Sequence, residues 1–196
     1  MAETTRTFIA VPLTVDRLTK KLQRLQSLVA PELPGVRWTA PDQFHLTLAF
    51  LGDVAHSDLR EVCKAVTETT VAHSKFSLIL GTLGCFPSPE NPRTIWIGLS
   101  GPAIDQLNDL QQDIARSVRS LGYPPDSKFS PHITLGRARS GRKTDSVQAE
   151  IGPLLAHYRT WAAGLMPIAE VVTYSSSMAP EGPVYAVLAK GTLATT

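Results

Sequence analysis

Phe44-His45-Leu46-Thr47-Leu48-Ala49-Phe50-Leu51 and Pro131-His132-Ile133-Thr134-Leu135-Gly136-Arg137 share one pattern: histidine, an apolar residue, threonine, leucine. One copy lies in each half of the 196-residue chain. At average amino-acid usage a histidine is followed by apolar-Thr-Leu on the order of once in several hundred cases. Here two of five histidines carry it. Chance is a poor account of that; duplication of a strand–helix unit is a good one, with a period too long for a solenoid. Each copy alternates in the manner of a strand, so His45 and Thr47 share one face while Leu46 and Leu48 share the other. His132 and Thr134 repeat this, with Ile133 and Leu135 as the core anchors.

The flanking sequence fills in the unit. Arg6 to Pro12 reads as an opening strand. Val15, Leu18, Leu22, Leu25 and Val29 recur at helical spacing, with Thr14 as N-cap and Pro31 and Pro34 as the stop. Trp38 leads through a Pro-Asp turn into a strand over 44–51, which Gly52-Asp53 is expected to end. A second helix starts at Ser57, with Leu59, Val62, Cys63 and Val66 on one face. Strands follow at 76–83 and 94–99, joined by a proline-rich connection at 84–93. A third helix carries Ile104, Leu107, Leu110, Ile114, Val118 and Leu121 and stops at Gly122. After the strand over 131–137 come a charged loop at 140–144 and a short helix within 147–158. Closing strands are expected near 160–165, 171–176 and 184–190. Helices and strands interleave without the Gly-rich turns of a nucleotide-binding parallel sheet. The expected class is α+β with mostly antiparallel strands.

Composition narrows the function classes. Apolar residues at 43% and charged residues at 18% indicate a globular chain rather than a disordered one. The length suits one domain or two small lobes sharing a core. A formal net charge of +2 excludes a strongly basic coat but permits a local basic cleft. Cys63 and Cys85 fit neither a zinc spacing nor a disulfide framework and read as small buried residues. The polar start lacks a secretory apolar region, and nothing approaches the roughly 18 apolar residues of a membrane span. A soluble, cytoplasmic, membrane-free protein is the expectation.

Two strands carrying His-x-Thr, brought together by pseudo-symmetry, would line a cleft with two imidazoles and two hydroxyls. That set suits phosphodiester cleavage without a metal. A neutral histidine takes a proton from water, and a protonated one gives a proton to the leaving alkoxide. Thr47 and Thr134 can donate to the non-bridging oxygens, and Arg137 can add a bidentate phosphate contact. A zinc site is not expected, because two histidines without a carboxylate or cysteine at ligand spacing cannot complete one.

The sequence resembles the two-histidine phosphoesterases, and within them the bacterial RNA 2′,3′-cyclic phosphodiesterases, also called 2′-5′ RNA ligase-like proteins. The matching stretches are Arg6 to Pro12, His45 to Asp53, Gly84-Cys-Phe-Pro87, Pro92 to Gly98, Phe129 to Arg137 and Ser176 to Tyr185. The resemblance implies one domain over residues 1–196, built as two pseudo-symmetric lobes around a central groove. It implies hydrolysis of a terminal RNA 2′,3′-cyclic phosphate to a 2′-phosphomonoester, with no metal or nucleotide cofactor. By that analogy His45 is the acid toward the 3′-oxygen and His132 the base, though swapping them leaves the spacing argument intact. It also implies reversible 2′-5′ joining of RNA, in which a 5′-hydroxyl replaces water. The expected partners are RNA ends or small cyclic nucleotides, and the expected state is monomeric. Ala49, where relatives often carry a basic residue, bears on phosphate contact; Gly136 and Met178 replace commoner apolar choices.

Lesser candidates stand beside these. Arg137, Arg139, Arg142 and Lys143 either steer an RNA backbone or form a solvated loop. Phe129 is the expected base-stacking residue, ahead of Phe44, while Trp96 is assigned to the core. His56, His73 and His157 read as surface residues without partners, and Tyr185 and Ser176 as core or turn residues. Two rival functions remain open. One is another substrate for the same chemistry, a 2′-5′ linkage or a small cyclic nucleotide. The other is a non-catalytic RNA-binding module, which would call for an Arg/Lys-Gly-Phe strand motif that is absent.

Overall fold

A computed structural model of the chain describes residues 3–126, 128–138, 151–180 and 182–195. The first half runs β1 (Thr4–Pro12), α1 (Asp16–Val29), β2 (Val36–Trp38), β3 (His45–Ala55), α2 (Leu59–Val71) and β4 (Phe76–Phe86). The second runs β5 (Thr94–Ser100), α3 (Ile104–Ser120), β6 (His132–Ala138), α4 (Ile151–His157) and β7 (Ala162–Ile168), then β8 (Glu170–Ala179) and β9 (Gly182–Thr192). The α+β class with antiparallel pairing is as expected, since among the described residues every pair of named strands is antiparallel.

The strand order is β7-β4-β5-β6-β3-β1-β8-β9, with β2 attached to β6. It reads as a palindrome about the β6–β3 contact: β5 mirrors β1, β4 mirrors β8, β7 mirrors β9. Each side of that contact mixes strands from both halves of the sequence. At the contact the two sides are joined by a single register pair, Leu46 with Ile133, both wholly buried. The sheet is continuous but has a narrow waist, and the two motifs lie on it.

Helices cover the apolar face. In α1, Leu18, Leu22, Leu25 and Val29 form the buried stripe; in α3, Leu107, Leu110, Ile114 and Val118 do. α1 packs on β7, whereas α2 and α3 pack on each other and on β3, β8 and β9. Both groups belong to one cluster of buried side chains. Among the described residues no helix is long and apolar enough to cross a membrane.

Several local expectations need correction. The cap residue of α1 is Val15, with no side-chain cap bond, so Thr14 does not cap it. Gly52-Asp53 does not end β3. Gly52 takes φ +69° at a bulge, where Thr7 pairs with Gly52 and Phe8 with Phe50, and the strand resumes to Ala55. A bulge absorbs an extra residue without terminating the pairing. The 84–93 segment is not all connection, because β4 runs on to Phe86. Strand β2 was not anticipated. It approaches β6 so closely that a Cβ on Gly136 would strike Val36 and meet Trp38 at 3.0 Å, which accounts for a glycine there. The expected helix at 147–158 is described only from Ile151, and the 140–144 loop lies outside the described residues.

Candidate active site

Both motifs sit on the groove face of the waist. Leu46, Leu48, Ile133 and Leu135 are buried in the core, while His45, Thr47, His132 and Thr134 are half-buried on the other face. Continuing the Leu46–Ile133 register sets His45 opposite Thr134 and Thr47 opposite His132. The four groups face the join between the lobes from its two sides, near enough for the His132 charge to act on His45.

The two imidazoles are held in the same way. Nδ1 of His45 lies 2.7 Å from the carbonyl of Gln43, and Nδ1 of His132 lies 2.7 Å from the carbonyl of Ser130. A carbonyl oxygen only accepts, so in each ring Nδ1 carries the hydrogen and donates it. Nε2 is thereby left to exchange a proton: a base when bare, an acid when protonated. The Gln43 side chain also donates to the Pro183 carbonyl at 2.8 Å, tying the β8–β9 hairpin to the first motif. Burial lowers the pKa of both histidines below the ordinary value, partly offset by these carbonyl bonds. The Arg137 charge lowers both further, and the His132 charge adds to the effect on His45.

Arg137 reaches this face through a backbone irregularity. Strict alternation from Thr134 would turn Arg137 toward the core. Instead Trp96 pairs with Thr134 and Ile95 with Gly136, so Leu135 is an extra residue and Arg137 comes back to the groove side opposite Thr94. Its guanidinium donates to Thr94 Oγ1 at 3.2 Å. The first lobe does the same: Ala10 pairs with Thr47 and Ile9 with Ala49, and Leu48 is the extra residue. Phe50 therefore occupies the place corresponding to Arg137, beside Phe8. Ala49, 4% exposed, points into the core, so it has no bearing on phosphate contact.

Aromatic rings wall each histidine. His45 lies 5.2 Å from Phe8 and 5.6 Å edge-on from Tyr185, and Phe8 stacks on Tyr174 at 5.1 Å. His132 lies 5.0 Å edge-on from Phe86 and 6.2 Å from Trp96. The Trp96 ring crosses over Gly84, where a Cβ would collide with it. Trp96 Nε1 is buried without a hydrogen-bond partner among the described residues. A cleft of about 320 Å³ opens beside His45, lined by Pro12, Gln43, Phe44, Tyr174 and Tyr185 among others. Its volume suits a small-molecule site. Burial raises the Tyr185 phenol above its usual pKa, so it stays neutral.

The groove thus gathers His45, His132, Thr47, Thr134 and Arg137, with Tyr185, Phe8 and Trp96 as wall residues that the sequence did not single out for it. Trp96 is not a core residue and Tyr185 is not merely a turn residue; both stand against a histidine. Phe129 is partly buried and packs on the core cluster. Arg139 lies outside the described residues, as do Arg142 and Lys143. The other histidines are elsewhere and two have partners. His56 meets Glu3 at 3.2 Å and Thr5 at 2.8 Å, and His73 meets Asp113 at 3.2 Å. Burial raises the thiol pKa of Cys63 and Cys85, making both poor nucleophiles. Among the described residues no three His, Cys, Asp or Glu side chains gather as a metal site would require.

Comparison with known proteins bears on this geometry. The profile of a family described as LigT like Phosphoesterase matches residues 11–96 and again 97–185, one repeat for each half. An Aquifex aeolicus protein named RNA 2′,3′-cyclic phosphodiesterase is 34% identical over 85% of this chain and 86% of its own. A Methanothermobacter thermautotrophicus protein of the same name is 30% identical over 92% of this chain and 94% of its own. A crystal structure from Thermus thermophilus superposes with TM-score 0.78 at 25% identity, covering 97% of this chain and 98% of that one.

Proposed function

Because the chain belongs to the LigT-like phosphoesterase family, we propose that it hydrolyses a terminal RNA 2′,3′-cyclic phosphate to a 2′-phosphomonoester. Residues 1–196 act as one domain of two pseudo-symmetric lobes, each lending one motif. One histidine, neutral at Nε2, takes a proton from water as its oxygen attacks phosphorus. The P–O3′ bond breaks, and the second histidine, protonated at Nε2, gives its proton to O3′. Thr47 and Thr134 donate to the non-bridging oxygens, and Arg137 balances the charge that gathers there. The protein supplies acid, base and donors without calling on a metal. With an RNA 5′-hydroxyl in place of water, the same attack breaks the P–O3′ bond and joins the ends through a 2′-5′ bond.

The observation that carries this reading is the matched pair of Nδ1–carbonyl bonds, at 2.7 Å each, which leaves two Nε2 atoms on either side of the waist. The lobes differ in what surrounds that pair. Four rings, Phe8, Phe50, Tyr174 and Tyr185, crowd the His45 side, whereas the His132 side has Phe86 and Trp96 together with the Arg137 guanidinium. Rings suit a base and a guanidinium suits phosphate, so we place the terminal nucleoside toward His45 and the phosphate oxygens toward Arg137.

Incubation in EDTA with an oligonucleotide ending in a 2′,3′-cyclic phosphate should yield a 2′-phosphate, identified by chromatography against 2′- and 3′-phosphate standards. Cyclic AMP and 2′-5′-linked adenylate are the comparison substrates; faster turnover of either would move the assignment to that substrate. A 3′-phosphate product, or activity only with added metal, would sink the proposed step.

The pH dependence has a definite sign. Turnover needs one neutral and one protonated imidazole, so kcat/KM should be bell-shaped. Both histidines of the free protein lie below the ordinary value, so the bell should centre on the acid side of pH 6.5. A bound phosphate anion favours imidazolium, so the kcat profile should sit at higher pH than the kcat/KM profile. Rates measured across pH 4–9 check this; a kcat/KM plateau extending above about pH 8 would contradict it.

A further inference from the structure

Two buried glutamines have no part in the acid–base scheme, yet both grip the strands that carry it. Gln26 on α1 is 8% exposed and Gln111 on α3 is 7% exposed. A buried amide is costly unless hydrogen-bonded. Gln26 Nε2 donates to the carbonyls of Leu135 and Thr39, each at 2.9 Å. Gln111 Nε2 donates to the carbonyl of Leu48 at 3.3 Å. Leu135 also accepts from the Thr39 N–H at 2.8 Å.

The two acceptors are equivalent. Leu48 and Leu135 each follow the motif threonine, and each is the residue that the register with β1 or β5 skips. The grip is crossed: the helix of the N-terminal half holds the second motif, and the helix of the C-terminal half holds the first. A one-residue slip that absorbed the bulge would turn the following side chain to the other face of the sheet. The side chains at stake are Arg137 and Phe50.

We propose that Gln26 and Gln111 are positioning residues, Gln26 fixing the Leu135 bulge to keep Arg137 on the groove face, and Gln111 fixing the Leu48 bulge to keep Phe50 there. This deepens the function proposed above and rests on it where Arg137 is taken to hold phosphate.

The experiment is a double-variant cycle. Gln26→Met keeps side-chain length and removes both donors. On the cyclic-ended oligonucleotide, kcat/KM should fall on the order of tenfold, about the worth of one buried hydrogen bond. Both limbs of the pH profile should move to higher pH, because the Arg137 charge that lowers both imidazoles leaves the groove face. In an Arg137→Ala background the same change should alter kcat/KM less than about twofold, because the group it positions is gone. Equal losses in both backgrounds would overturn the inference. So would a loss that vanishes once rates are expressed per folded molecule. Gln111→Met supplies a second cycle if Gln26→Met does not fold; its loss should disappear with Phe50→Ala and persist with Arg137→Ala. Calorimetry with inorganic phosphate separates the levels. A wild-type protein that neither binds phosphate nor turns over the oligonucleotide defeats the functional reading. An active wild type with additive losses defeats only the role of the glutamines.

Discussion

His45→Ala and His132→Ala should each lower kcat on the cyclic-ended oligonucleotide by at least ~10²-fold, the usual contribution of one positioned acid or base, while leaving the fold intact. Each ring is half-buried at the groove, and its one described hydrogen bond is to a main-chain carbonyl two residues away. Truncation therefore frees an exposable carbonyl rather than opening the core. The double variant should be little slower than either single one, because acid and base serve the same transition state. The single variants also assign the roles. Loss of the base removes the acidic limb of the pH profile, and loss of the acid removes the alkaline limb. The geometry of the two rings is so alike that this is the measurement that distinguishes them. Steady-state rates with circular dichroism on the same samples provide the check. Near-wild-type turnover in either variant would remove that histidine from the chemistry.

The largest effect on stability is expected at the waist. Leu46 and Ile133 are wholly buried and form the register pair through which the two lobes of the sheet meet. Leu46→Ala removes apolar contact and leaves a cavity, at a cost of about 2–5 kcal/mol. For a chain of this length that corresponds to a Tm lower by roughly 4–20 °C. The same substitution loosens the one strand-to-strand register that joins the motifs among the described residues, so turnover should fall even well below the new Tm. Ile133→Ala should act alike, and the double variant should lose less than the sum, because the two side chains share one contact. Thermal melts and rates at a temperature where all variants are folded test this. A Leu46→Ala protein with unchanged Tm would mean that the lobes are held by something other than the waist.

The repeated motif was legible because its information is local. Alternation over four residues sets which side chains face the core, and the burial of Leu46, Leu48, Ile133 and Leu135 follows it. Helices α1 and α3 were legible for the same reason, with one apolar residue per turn. What escaped reading depends on a distant partner. β2 is only Val36-Arg37-Trp38, too short for a pattern, and exists because Gly136 lets it lie on β6. The arrival of Arg137 and Phe50 on the groove face depends on bulges that appear only in the register with β5 and β1. Trp96 resembled a core residue because isoleucines flank it, yet alternation with buried Ile95 and Ile97 turns it to the other face, where Gly84 on the neighbouring strand leaves room for its ring. Tyr185 is brought to His45 by a hairpin that Gln43 tethers from across the sheet. One signal was available and unused: Gln26 and Gln111 interrupt the apolar stripes of their helices, and a polar residue on a buried stripe implies a buried acceptor.

The palindromic strand order governs how the molecule can be made. β1 lies close in sequence to β3, but its other neighbour, β8, is translated only after β2 to β7. β4 likewise has β5 next to it in sequence but waits for β7. Until then the nascent protein presents open strand edges and an uncovered apolar face, the features that favour mispairing between chains. Neither half contains a finished lobe, so each lobe closes only after β7, β8 and β9 have been made, and such long-range closures are expected to slow folding.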